Sequence, residues 1–440
     1  MRQLKITKQE YFFYLVLILL VFLFLICCKT KRNYVSVLNE DIELESKKKN
    51  NYNIKTILLH KKENNLSLPI INLNSEEQLK LSFDDLNYES SILYITIEHY
   101  DAMWKKSNLM QSEYINGFSS DEIINYQFSF NTLQNYVHYE YLFPSENLKP
   151  LLSGNYKFKV YDLNGDTLFN KKFMVLENKI NIDLNIKKAT LSSDRKTKHE
   201  LDFTLNHQNI NIVDPFSQIK VIVKQNNKED NAITNLKPLY IRNNTLIYDY
   251  NEENTFFGNN EFRHFDIKSL RYYSERVKNI VYDSTNYKVD LFTESKRAYD
   301  NYSIEPDLNG KFYIKSQEAR NSNIESEYVY VNFKLKSNII YEGDMYVIGE
   351  FSNWKKNNEF KLEFDSINKT YDKSIYLKQG YYNYHYAIND TSLNYLDVAR
   401  IEGTHYQTRN SYEIYVYFND TNDRYQKLIG FTNALSKELF

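Results

Sequence analysis

From Ile54 to the end of the chain, apolar residues recur at every second position. The runs are ILYITIE (Ile92–Glu98), YKFKVY (Tyr156–Tyr161), INIDLNI (Ile180–Ile186), LDFTL (Leu201–Leu205), IKVIV (Ile219–Val223), YVYVNFKL (Tyr328–Leu335) and YEIYVYF (Tyr412–Phe418). A period of two places alternate side chains on opposite faces of a pleated strand, so each run predicts a half-buried β-strand. Forty tyrosines and 27 phenylalanines supply the apolar positions, and these residues favour sheets. The turn Asp162-Leu163-Asn164-Gly165-Asp166 joins two such runs. It has the Asn and Gly of a hairpin and lacks the later ligands of a calcium loop. The fold class is therefore all-β.

At 440 residues the chain exceeds one core. Fresh alternation after Glu177-Asn178-Lys179 and a polar stretch at Asn301–Glu325 divide it. The expected units are an N-terminal β-sandwich at 52–177, a central β-domain at 178–320 and a C-terminal β-sandwich at 325–440.

The N-terminus has a different character. Arg2, Lys5 and Lys8 precede an uncharged run, Tyr11–Cys28, and Lys29, Lys31 and Arg32 follow it. Both cysteines of the protein, Cys27 and Cys28, close that run. Leu25-Ile26-Cys27-Cys28 resembles a bacterial lipobox, which makes 1–28 a signal peptide and Cys28 the lipidated residue. An uncleaved signal anchor is the other reading of the same run. Residues 29–51, ending in Lys47-Lys48-Lys49, read as a charged tether. With no cysteine beyond Cys28, the exported part forms no disulfide, thiolate zinc site or cysteine nucleophile.

Charge and motif spacing narrow the function. Fifty-five Lys plus Arg face 57 Asp plus Glu, so there is no basic field for nucleic acid. No two glycines stand closer than Gly343 and Gly349, which excludes dinucleotide, Walker A and nucleophile-elbow motifs. His199-Glu200 is not followed by a second metal-spaced histidine. The expectation is a non-catalytic protein with no cofactor and no small-molecule substrate. Two local features remain as candidate sites. Within NNEFRHFDIKSLRYY (Asn259–Tyr273), Arg263, Phe265, Asp266 and Arg271 have the composition of a partner-contact patch, or of an ordinary strand with a surface ion pair. MYVIGEFSNW (Met345–Trp354) followed by LKQGYYNYHY (Leu377–Tyr386) resembles the early-set immunoglobulin-like modules found beside α-glucan enzymes. That resemblance implies a packing role for Trp354, Tyr381 and Tyr384, or a glucan-binding one.

The longest collinear resemblance is to the plug proteins of the type IX secretion system. It runs through PIINLNSEEQLKLSFDDL (Pro69–Leu86), YDAMWKKSNLMQSEYINGF (Tyr100–Phe118), YQFSFNTLQNYVHYEYLFPSENLKPLLSGNYKFKVY (Tyr126–Tyr161), DNAITNLKPLYIRNN (Asp230–Asn244), GNNEFRHFDIKSLRYYSERV (Gly258–Val277) and IEGTHYQTRNSYEIYVYF (Ile401–Phe418). The resemblance implies tandem immunoglobulin-like β-sandwiches in the periplasm, tethered as a lipoprotein at the outer membrane. It implies one partner, the outer-membrane translocon β-barrel, whose empty pore the protein seals. A carbohydrate-binding lipoprotein using the Trp354 module is the alternative.

Overall fold

The computed structural model describes residues 52–436, except Thr391 and Asn394. The signal-peptide, lipobox and tether readings, Cys28 included, lie outside the described residues. Among the described residues, no helix is long and apolar enough to cross a membrane. Strands dominate, and the helices are single turns such as Gln111–Tyr114 and Pro215–Gln218.

Alternation builds the first module as expected. Leu79, Leu81 and Phe83 of strand Leu79–Asp85 point inward with no exposed surface. That strand lies between Ile54–Lys61 and Val137–Phe143, and Asn125–Phe128 closes the row. A second sheet, in the order Ile70–Asn72, Thr167–Leu176, Gly154–Asp162, Leu93–Tyr100 and Asp121–Glu122, packs on the first. Between them Phe143, Phe158 and Phe173 meet ring to ring at 4.2–5.0 Å. At the hairpin, Asp162 Oδ1 accepts from the N–H groups of Asn164 and Asp166, and Gly165 takes φ +86°. The turn is thus closed by its own side chain. Every sheet of this module is made of strands within residues 54–176.

The rest of the chain is interleaved. Ile219–Gln225 pairs with Ser411–Phe418 over its whole length, Ile219 opposite Phe418 and Gln225 opposite Tyr412. With Lys427–Leu435 these strands share a core with the sheet Asn181–Lys188, Lys198–Asn206, Thr245–Tyr248 and Tyr240–Arg242. A larger sheet takes Arg263–Asp266 beside Gly380–Asn389, and Tyr287–Leu291 parallel to Tyr328–Lys336. Counting Phe312–Ile314 against Gly380–Asn389, four strand pairings cross the boundary expected at 320–325, so 178–320 and 325–440 share their sheets. The polar stretch that suggested a linker is pinned to the sheets: Asp307 accepts from Phe262 N–H, and Phe312–Ile314 adds to Gly380–Asn389. Alternation reveals strands, but it carries no information about distant partners.

Candidate docking surface

Arg263 and Phe265 stand two residues apart on one strand and so share a face. That face is inward. Arg263 is 1% exposed, its Nε is 3.0 Å from both carboxylate oxygens of Glu402, and its other nitrogens reach Glu294 and the Ser295 carbonyl. Arg297 Nε also bonds Glu402, at 2.9 Å. Burial alone would raise the Glu402 carboxyl, but Arg263 and Arg297 more than offset it and hold it at about 2. Phe265 stacks on Tyr382 at 5.0 Å inside the core. Asp266 pairs with Lys268 at 3.1 Å, and Arg271 alone of the four is exposed. The expected contact patch is instead a buried ion network holding the strand Arg263–Asp266 to the segment around Glu402.

The aromatic motif also goes largely into packing. Tyr384 is 1% exposed and meets Phe333 edge to face at 5.2 Å. Tyr381, half-buried, stacks between His264 at 5.5 Å and Tyr313 at 5.8 Å. Half-buried Trp354 lies over Tyr346, Ile348, Ala387, Leu396 and Val398, with Phe262 at 5.9 Å and the Lys228 ammonium 5.7 Å from its ring. Gly310 provides its berth, since a Cβ there would fall 2.2 Å from the indole.

Three carboxylates, Glu200, Asp202 and Asp249, have oxygens within 4.8 Å of one another. Lys187 already supplies the cation, 2.5 Å from Asp202 and 3.1 Å from Glu200, and Thr190 donates to Glu200 through N–H and Oγ1. The group reads as a strand-to-strand ion pair.

What the sequence did not reveal is a charged seam between the first module and the rest. Asp84 and Lys378 are fully buried and ion-paired at 2.6 Å. Tyr328 OH also donates to Asp84, and the Lys378 ammonium sits 4.1 Å from the Tyr136 ring and bonds the Asn323 carbonyl. His138 spans Asp84 at 2.6 Å and Glu140 at 3.2 Å. Burial pushes the imidazole down, but the two carboxylates outweigh it and raise its pKa. Around this point Lys55 pairs with Glu359, Thr56 bonds Tyr328, and Lys311 bonds the Leu66 carbonyl. Leu68, Ile70, Met174 and Leu176 pack on Ile222, Tyr415, Tyr417 and Leu428. Residues 51–440 form one compact unit.

Exposed apolar side chains lie elsewhere on the first module. Ile124, Tyr126, Phe128 and Tyr88 are all exposed, and Phe128 meets Tyr88 at 5.1 Å. The uncharged alternation INYQFSF (Ile124–Phe130) was the available signal. Nothing in it tells an edge strand from an inner one.

Comparison with known proteins places this architecture. Residues 54–177 match the family model described as the type 9 secretion system plug protein 1st domain. No curated protein matches the chain. Among solved structures, a hypothetical protein from Parabacteroides merdae is 32% identical with a TM-score of 0.84. The match covers 87% of this chain and 97% of that one.

Proposed function

From the premise that the chain belongs to the type IX secretion system plug family, we propose that it seals the periplasmic mouth of the outer-membrane translocon barrel when no cargo is loaded. The observation that supports the reading is the buried Asp84–Lys378 seam, which ties the first module to the rest of the chain. A compact chain of this size has a radius of gyration of about 21 Å. That suits a stopper for a pore wide enough to pass folded cargo. Stopping a pore needs shape, stiffness and reversible contacts, and no catalytic group. A lipid on Cys28 would keep the stopper near the barrel and raise its local concentration there.

Deletion of the gene tests this. The outer membrane should become permeable to large antibiotics while type IX cargo still reaches the outside. The leak should vanish when the barrel is deleted as well. An intact barrier together with failed export would point to an assembly factor or cargo carrier, and the plug reading would fall.

A further inference from the structure

Strand Asn125–Phe128 ends its sheet and has a neighbour, Val137–Phe143, on one side only. Tyr126 lies opposite Tyr139 and Phe128 opposite Val137. One bond fixes the phase of the ladder: Ser129 N–H donates to the Tyr136 carbonyl at 2.8 Å. Antiparallel pairs alternate between those that exchange both bonds and those that exchange none. Stepping back by twos from Ser129, Gln127 and Asn125 turn their N–H and C=O toward Val137–Phe143. Tyr126 and Phe128 turn theirs away from the sheet. The next outward N–H, that of Phe130, is taken by the Ile324 carbonyl at 2.9 Å. The outward row is therefore paired at one end and open along Tyr126 and Phe128.

The side chains agree with the backbone. All four strand residues are exposed, and Tyr126 packs on buried Tyr139 at 5.7 Å, so the ring cluster carries the core out to the surface. From Ile123 to Val137 there is no Asp, Glu, Lys or Arg. Three other edges of this module and the next are guarded. Ile54–Lys61 has Lys55, Lys61 and an irregularity after Lys55. Asp121–Glu122 is two carboxylates, and Asn181–Lys188 carries Asp183, Lys187 and Lys188. Charge, proline or a bulge is how edges avoid pairing with other chains. This edge has none.

We propose that Asn125–Phe128 is a strand-addition site and that its occupant is an extended, uncharged segment of the secretion channel. The inference rests on the plug reading and names the surface that does the docking. The chemistry selects the occupant. A charged side chain arriving over Tyr126 or Phe128 would lose its hydration with no counter-charge on this stretch. Such a segment would continue the outward row that the Ile324 carbonyl begins. Backbone pairing supplies affinity, and alternate side chains against Tyr88, Tyr126 and Phe128 supply selectivity. Only two residues offer outward groups, so the contact is short enough to release when cargo arrives.

The test measures binding of the full-length protein to the purified translocon barrel in detergent. Phe128→Pro deletes an outward N–H that the protein's own sheet does not use, and Tyr126→Lys gives the edge the charge it lacks. Both should weaken binding roughly tenfold or more, about 1.4 kcal/mol, while the circular-dichroism spectrum and a cooperative melt show the fold retained. Phe216→Lys, at an exposed position in another module, should bind as wild type. Undiminished binding by both edge variants would overturn the site and leave the plug reading standing. No binding by the wild type would overturn both. A wild-type dimer that Tyr126→Lys dissolves would make a second copy the occupant and overturn the channel assignment.

Discussion

Lys378 Nζ lies 2.6 Å from Asp84 Oδ2, although 294 residues separate them and the two belong to different modules. Each is fully buried. Burial would raise the Asp84 carboxyl, but Lys378 and His138 keep it below the usual carboxylate range. Burial also pulls the Lys378 ammonium below its usual value, against the attraction of Asp84. The 2.6 Å contact and the further donors around Asp84 favour the ionised pair. Taking two charges out of water costs several kcal/mol each, and only good geometry with further hydrogen bonds offsets that. Tyr328, His138, Asn323 and the Tyr136 ring provide it here.

Breaking this pair from one side should loosen the seam. Lys378→Met leaves a buried carboxylate and is expected to cost about 3–5 kcal/mol. Adding Asp84→Asn should return a good part of that loss, because the stranded charge goes with it. Chemical denaturation of the wild type, both single variants and the double variant measures the coupling. Additive single effects would show that the pair does not act as a unit.

Trp354 is expected to be structural. Trp354→Ala empties the space between Gly310 and Leu396, and should cost about 2–3 kcal/mol, below the range for a fully buried Trp. Thermal melts of the full chain would register it. If the variant melts like wild type and loses heat of binding to maltooligosaccharides that the wild type shows, the glucan-binding reading takes its place.

The first module was legible because its strands find all their partners within residues 54–176. Leu79, Leu81 and Phe83 alternate with polar residues, and the hairpin turn at Asp162–Asp166 announces itself. Other pairings were hidden. Val221 faces Val416 across a sheet, but an alternating run carries no mark of which distant run it joins. The same blindness misassigned Arg263. Its strand was visible and its inward face was not, because a buried arginine with two glutamates has the composition of a surface one. The seam at Asp84 was illegible for a similar reason, since an Asp in LSFDD looks solvated until Lys378 arrives from the far end of the chain.

Lipid attachment should depend on Cys28. Cys28→Ser, alone or with Cys27→Ser, should abolish incorporation of labelled fatty acid and release cleaved protein into the soluble periplasmic fraction. A wild type that takes up no label and stays with membranes in both variants would instead establish an uncleaved anchor.

The last expectation concerns pH and a second buried carboxyl. Glu261 is 2% exposed, and burial pushes its pKa up to about 7 despite hydrogen bonds from Tyr302 OH at 2.5 Å and Arg409 N–H at 3.1 Å. A carboxyl whose folded pKa lies above its unfolded value binds more protons when folded. Its folded state is therefore favoured at low pH, and that advantage is lost as pH rises through about 7. Glu261→Gln keeps the acceptor oxygen and removes the titration. At about pH 4, below the ordinary carboxyl value of 4.5, Glu261 is protonated in the folded and unfolded chains alike, and variant and wild type should melt closest together. At about pH 8 the variant should melt higher, because the wild type then carries an unpaired buried charge. Comparing the two proteins at each pH cancels distant titrating groups such as His138, whereas Asp307, whose charge reaches Glu261, changes with it. A melting-temperature difference that stays flat between those pH values would show that Glu261 titrates alike in the folded and unfolded chains, near the ordinary carboxyl value. Its Tyr302 and Arg409 hydrogen bonds would then offset its burial.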